Sequence, residues 1–111
     1  MALALGNTGA VVLVTAATSA SVLGTVTGEQ LLILKATVAN TDSAGHTVTA
    51  YMVAPAGAPV TANIILEPFF VGANGNVVLP ISGQTLIGGS SLYLKASTTS
   101  VMNAAIAYAT L

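Results

Sequence analysis

Apolar and polar positions alternate most clearly between Ser91 and Ser97, where Leu92, Leu94 and Ala96 share one side and Tyr93 and Lys95 the other. A period of two predicts a half-buried β-strand. His46 to Val53 alternates in the same way, with Thr47, Thr49 and Tyr51 set against Val48, Ala50 and Met52. Near the C-terminus Met102, Ile106 and Tyr108 oppose Asn103, Ala105 and Ala107. Gln30 to Asn40 opens on the unbroken apolar run Leu31, Leu32, Ile33, Leu34. That run predicts a central strand whose first half is buried on both faces before Lys35 and Thr37 turn outward. Weaker patterns predict further strands over Ala10 to Thr15, Ser21 to Val26, Val60 to Glu67 and Asn76 to Ile81.

Turn-forming residues separate these segments: Thr41-Asp42-Ser43-Ala44-Gly45, Pro55-Ala56-Gly57-Ala58-Pro59, Gly72-Ala73-Asn74-Gly75-Asn76, Ser82-Gly83 and Gly88-Gly89-Ser90. Asn-Gly supplies the positive φ that tight reversals need, and Pro80 marks an edge or a bulge because it has no amide hydrogen to give to a ladder. Val, Ile and Thr make up 33 of the 111 residues, a bias towards strand. Alanine is abundant, but no window sustains a helical apolar stripe. The expected fold is all-β: a single antiparallel β-sandwich or jelly roll of about eight strands over residues 11–111. The first ten residues, too short and too glycine-broken to fold alone, are expected to form an extended N-terminal arm that lies on a neighbouring subunit.

Composition changes this picture through its charge. Only Glu29, Lys35, Asp42, Glu67 and Lys95 are charged, 5% of the chain, where soluble domains average about 25%. A folded chain of this mass exposes roughly 5,600 Å², or about one charge per 1,100 Å². A surface so sparsely charged has little to oppose self-association. Two lysines cannot line a phosphate backbone, so nucleic acid is not an expected partner. The absence of cysteine removes disulfide and thiolate chemistry. No Lys or Arg precedes Lys35, as a signal peptide would require. Thr, Ser, Asn and Gly interrupt the uncharged N-terminal stretch too often for a membrane span.

Candidate chemistry is sparse. Asp42 and His46 flank one turn, and no Gly-x-Ser-x-Gly segment offers them a nucleophile. Glu29, Asp42 and Glu67 are too scattered for a calcium loop, and the glycines carry neither a Walker lysine nor dinucleotide-binding spacing. The chain is therefore expected not to be an enzyme, and to need no cofactor or metal. Tyr51, Tyr93 and Tyr108, if they shared one sheet face, would make a stacking platform for sugars or bases. Phe69-Phe70, between Pro68 and a Gly-rich turn, is the one local concentration of aromatic residues, suited to plugging a core end or anchoring a partner.

The segment Val38-Ala39-Asn40-Thr41-Asp42-Ser43-Ala44-Gly45-His46-Thr47-Val48-Thr49-Ala50-Tyr51-Met52-Val53 resembles one found in small virion proteins of tailed bacteriophages. The runs Ile64-Ile65-Leu66, Val77-Val78-Leu79 and Ser91-Leu92-Tyr93-Leu94-Lys95-Ala96 resemble its continuation, so that the likeness covers about the C-terminal two-thirds of the chain. The resemblance implies a β-sandwich or jelly-roll subunit of a head decoration, connector, tail or fibre part. The leading expectation is a capsid decoration or cement protein located in the virion. It would be a homo-oligomer, with a trimer favoured, bound to the major capsid protein or other virion proteins, without nucleic acid or membrane. Leu3, Leu5, Tyr51, Phe69, Phe70 and Tyr93 are its candidate interface residues. A tail, neck or fibre-base subunit is the alternative of the same class, and a receptor- or glycan-binding sandwich the alternative of another.

Overall fold

The computed structural model describes residues 4–111. Ten strands follow one another as β1 (Ala4–Asn7), β2 (Val11–Val12), β3 (Ser21–Gly24), β4 (Gln30–Asn40), β5 (His46–Val53), β6 (Ile64–Val71), β7 (Asn76–Val78), β8 (Thr85–Ile87), β9 (Ser91–Ala96) and β10 (Met102–Thr110). Among the described residues there is no α-helix, only short 3-10 turns at Ala17–Ser19 and Thr61–Asn63. The all-β expectation therefore holds.

The strands form two antiparallel sheets, one of six strands in the order β1-β10-β4-β7 with β2 also on β10 and β8 also on β4, the other of four in the order β3-β9-β5-β6. Here β1 and β2 lie along the same side of β10 at different levels, and β7 and β8 likewise share one side of β4. Counting each pair as one interrupted strand gives eight strand positions, ordered 1-8-3-6 in the first sheet and 2-7-4-5 in the second. That connectivity is a jelly roll, two Greek keys wrapped into a sandwich. The interruption between β7 and β8 falls at Pro80, on the sheet edge. The amide of Thr8, in the other gap, bonds to the Ile106 carbonyl, and its hydroxyl accepts from the Ile106 amide, both at 3.0 Å.

The core lies between the sheets and is built by the inward half of each alternation: Leu31, Ile33, Ala36 and Val38 of β4, Val48 and Ala50 of β5, Leu92, Leu94 and Ala96 of β9, and Met102, Ala104 and Ile106 of β10. Leu13, Leu79, Ile81 and Leu86 close it from the connections and edge strands. In β4 the expected two-sided burial does not occur. Between Ile33, opposite Tyr108, and Lys35, opposite Ala107, Leu34 has no partner on β10. This extra residue is a β-bulge, which shifts the inward phase from Leu31 and Ile33 to Ala36 and Val38. Leu34 and Lys35 both face outward, with Leu34 41% exposed. In β5 the departure is opposite, since Thr49 and Tyr51 are buried although they lie on the outward side.

Of the segment expected as an arm, Ala4–Asn7 is an edge strand on β10 of its own chain. Met1 to Leu3 lie outside the described residues. Gly6 stands opposite Tyr108, and a methyl group added there would sit 2.8 Å from the ring. The strand can therefore lie flat only because that position is glycine.

Asn40 ties the two sheets together where β4 ends. It is 2% exposed, and its amide nitrogen donates to the carbonyls of Ala44 (2.8 Å), Val71 (3.2 Å) and Gly72 (3.2 Å). Its Oδ1 accepts from the Asp42 amide at 3.0 Å. One side chain thus holds the β4–β5 turn and the end of β6 in place. Asn40→Ala removes these four bonds, leaving the Gly72 carbonyl only its bond from the Gly75 amide, and is expected to lower stability by about 2 kcal/mol, read from urea unfolding. An unchanged midpoint would show that water replaces these bonds without cost.

Candidate interaction surfaces

Period two requires that every strand burying one face offers its other face outward. On the six-stranded sheet the outward rows follow from the register. Asn103, Ala105, Ala107 and Ala109 of β10 lie beside Ala39, Thr37, Lys35 and Leu32 of β4. Leu5 and Asn7 of β1 flank Ala109 and Ala107, and Val12 flanks Asn103. On the far side Val78 adjoins Thr37, and Ile87 adjoins Gln30. Leu5 (74%), Val12, Leu34, Val78 and Ile87 are all exposed there. Lys35 is the one charged residue in these rows. The face is thus nearly uncharged, with exposed apolar residues set among the polar Asn7, Gln30, Thr37, Asn76, Thr85 and Asn103.

The outward side of the four-stranded sheet is different. Tyr93 stands between Ser21 and Tyr51, and Tyr51 beside Ile64, so one cross-strand row carries two of the three tyrosines. The 3-10 turn at Thr61–Asn63 contacts β5 on this sheet, and Tyr51 is only 6% exposed. Tyr108 lies on the other sheet with its ring over Gly6, so no platform of three tyrosines exists. Thr49 and Lys95 form the next row. Phe70, 64% exposed, covers Gly45 at the edge and stands opposite Thr47. Any larger residue at position 45 would displace that ring.

The residues singled out from the sequence are therefore scattered over the molecule. Leu5 belongs to the six-stranded face and Phe70 to the edge of the other sheet, both exposed. Phe69 pairs with Val48 and packs on the core, Tyr51 is buried and Tyr93 half-buried. Leu3 lies outside the described residues. Val12, Leu34, Val78 and Ile87 were missed. Their signal was the outward row of β10, where Ala105 and Ala107 occupy places that a solvated strand gives to polar residues, while Ala109 in the same row is buried.

Ionisable groups converge at one point, where His46 Nε2 lies 2.7 Å from Asp42 Oδ2 across the β4–β5 turn. The hydrogen bond from His46, with one from the Ser43 amide, holds the Asp42 carboxyl below its usual range. Among the described residues no three His, Cys, Asp or Glu side chains meet as a metal site would need. A shallow depression of about 410 Å³ lies at one end of the six-stranded face, lined by Gly28, Glu29, Gln30, Ile87, Gly88 and Leu111. Its one acidic side chain, Glu29, accepts from the Val26 amide at 3.3 Å. No protein-family model and no curated protein matches this chain.

The lowered pKa of Asp42 sets a pH window. Because its pKa is lower folded than the 3.8 of the free side chain, its contribution is fully present above that value and is lost as pH falls through the folded pKa. The difference in unfolding midpoint between the native chain and Asp42→Asn is expected to be constant near neutrality and to shrink as pH drops below about 4. A difference that persisted undiminished at low pH would assign the effect to turn geometry instead of charge.

Proposed function

We propose that this chain is a structural subunit that works by burying its uncharged sheet faces in a larger assembly. The assembly favoured is a virus particle, in which the chain serves as a capsid decoration or cement protein. The observation that carries the assembly reading is the outward face of the six-stranded sheet. It bears five exposed Leu, Val and Ile residues and one charge, on a chain exposing 5544 Å² with five charged side chains. Isolated exposed apolar residues need no explanation, but five on one sheet face with a single charge among them suit an interaction site. Buried apolar area, at about 25 cal/mol per Å² before the costs of association, would hold such a subunit in place. The jelly-roll connectivity and the likeness of residues 38–96 to bacteriophage virion proteins support the virion as the setting. The near-absence of charge suits contacts made once and kept.

A tail, neck or fibre-base position is the nearest competing reading and would use the same faces with a different symmetry. A glycan- or receptor-binding module is less well supported, because Tyr51 and Phe69, which such a role would need at the surface, are buried or packed on the core.

Light scattering on the purified chain tests the assembly reading. It is expected to give a mass that is a multiple of 10.9 kDa and resists dilution. Three chains would support the threefold arrangement favoured for a cement protein, and a larger ring would favour the neck or tail. A chain that stays monomeric at every concentration would remove the main support for the proposal.

A further inference from the structure

The occupant of the six-stranded face can be narrowed by charge. Lys35 stands in the middle of that face, on β4 between β10 and the β7–β8 edge. Four strand positions about 4.8 Å apart and the nine residues of β10 at about 3.4 Å each give a face of roughly 600 Å² in projection. Side-chain relief raises this towards the about 800 Å² per partner of a standard stable interface. The face is therefore large enough to hold a permanent contact.

A two-fold contact of this face with itself has an electrostatic fault. Centred on the face, it would bring Lys35 close to its symmetry mate in a nearly uncharged interface, and like charges set together there are strongly disfavoured. It would also leave Phe70 uncovered.

The chain carries a second apolar patch whose charge has the opposite sign. On the edge strand β6, Ile65 and Phe70 are exposed together with Glu67 and Pro68. Beyond Thr49 in the sheet, Lys95 lies two strands further in. The one ion pair among the described residues is Asp42–His46, so Lys35 and Glu67 have no ion-pair partner among those residues. The two patches sit on opposite sheets of the sandwich.

We propose that the outward face of the six-stranded sheet receives the β6 edge of a second copy of this chain, with Lys35 meeting Glu67 and Phe70 seated on the alanine row of β10. This inference rests on the assembly reading and names its contact. Because the two patches differ, the contact is head-to-tail, and repetition closes a ring or extends a filament. A trimer is the smallest such ring. Every subunit in a ring buries both patches, which no two-fold pairing of the sheet face achieves.

A charge exchange tests the contact. The chain is run in light scattering as the native protein, as Lys35→Glu, as Glu67→Lys, as the double exchange, and as an equimolar mixture of the two single variants. Both positions are exposed, and circular dichroism and melting confirm that each variant folds. Each single variant is expected to fall to monomer mass where the native chain is assembled, and the double exchange to recover the native mass. The mixture is expected to assemble although neither component does, since alternating copies restore opposite charges at every contact, and to give even-numbered rings. Single variants that keep the native mass, or a double exchange and a mixture that both stay monomeric, would overturn this contact while leaving the assembly reading intact. A native chain that is itself monomeric would overturn both.

Discussion

Everything in this molecule depends on the sealing of two pleated surfaces against each other. Ile33, Ala36 and Val38 of β4, with Met102, Ala104 and Ile106 of β10, meet Val48 and Ala50 of β5 and Leu92, Leu94 and Ala96 of β9 in one core. Side chains leave a strand alternately on its two faces, so whatever the core demands of one residue passes to the next as a position pointing away from it. The inward set of β4 and β10 is aliphatic, and the outward set of the same strands, mostly small or apolar around Gln30, Lys35, Thr37 and Asn103, becomes the exposed face. The core and the outer face come from one pattern.

Two features adjust that pattern. The bulge at Leu34 lets the long strand β4 change inward phase, so that both its halves feed the core while Leu34 and Lys35 project side by side from the middle of the outer face. Without the extra residue, a strand with Ile33 inward would send Ala36 and Val38 out. Asn40 does for the polar interior what the bulge does for the apolar one. At the crossing from one sheet to the other it bonds three carbonyls and an amide of the surrounding backbone, so that its own buried amide group is fully used.

Much of the fold was legible in the residues themselves. The strands at His46–Val53, Ser91–Ala96 and Met102–Thr110 show in their alternation, and the turn at Asn74 shows in the Asn-Gly pair, with Asn74 taking φ +53°. The pairing of β1 with β10, the strand β8 and the bulge were not legible. Four residues of edge strand carry too short a period to stand out, and a bulge exists only relative to a partner whose register is set elsewhere. For the same reason Phe69 and Phe70 read as one aromatic site. Only the pairing of β5 with β6 sends Phe69 to the core and Phe70 to the surface.

The amino-acid sequence by itself determined that the chain is a β-structure with almost no charge, because strand period, β-branched content and charge count are local or additive properties. Which side chains share a face was decided by the tertiary structure alone. It grouped Leu5, Val12, Leu34, Val78 and Ile87, drawn from five strands, buried Tyr51 and set Lys35 on one sheet and Glu67 on the other. Adjacency across a sheet depends on strand order and register, and these follow from how the whole chain closes its core.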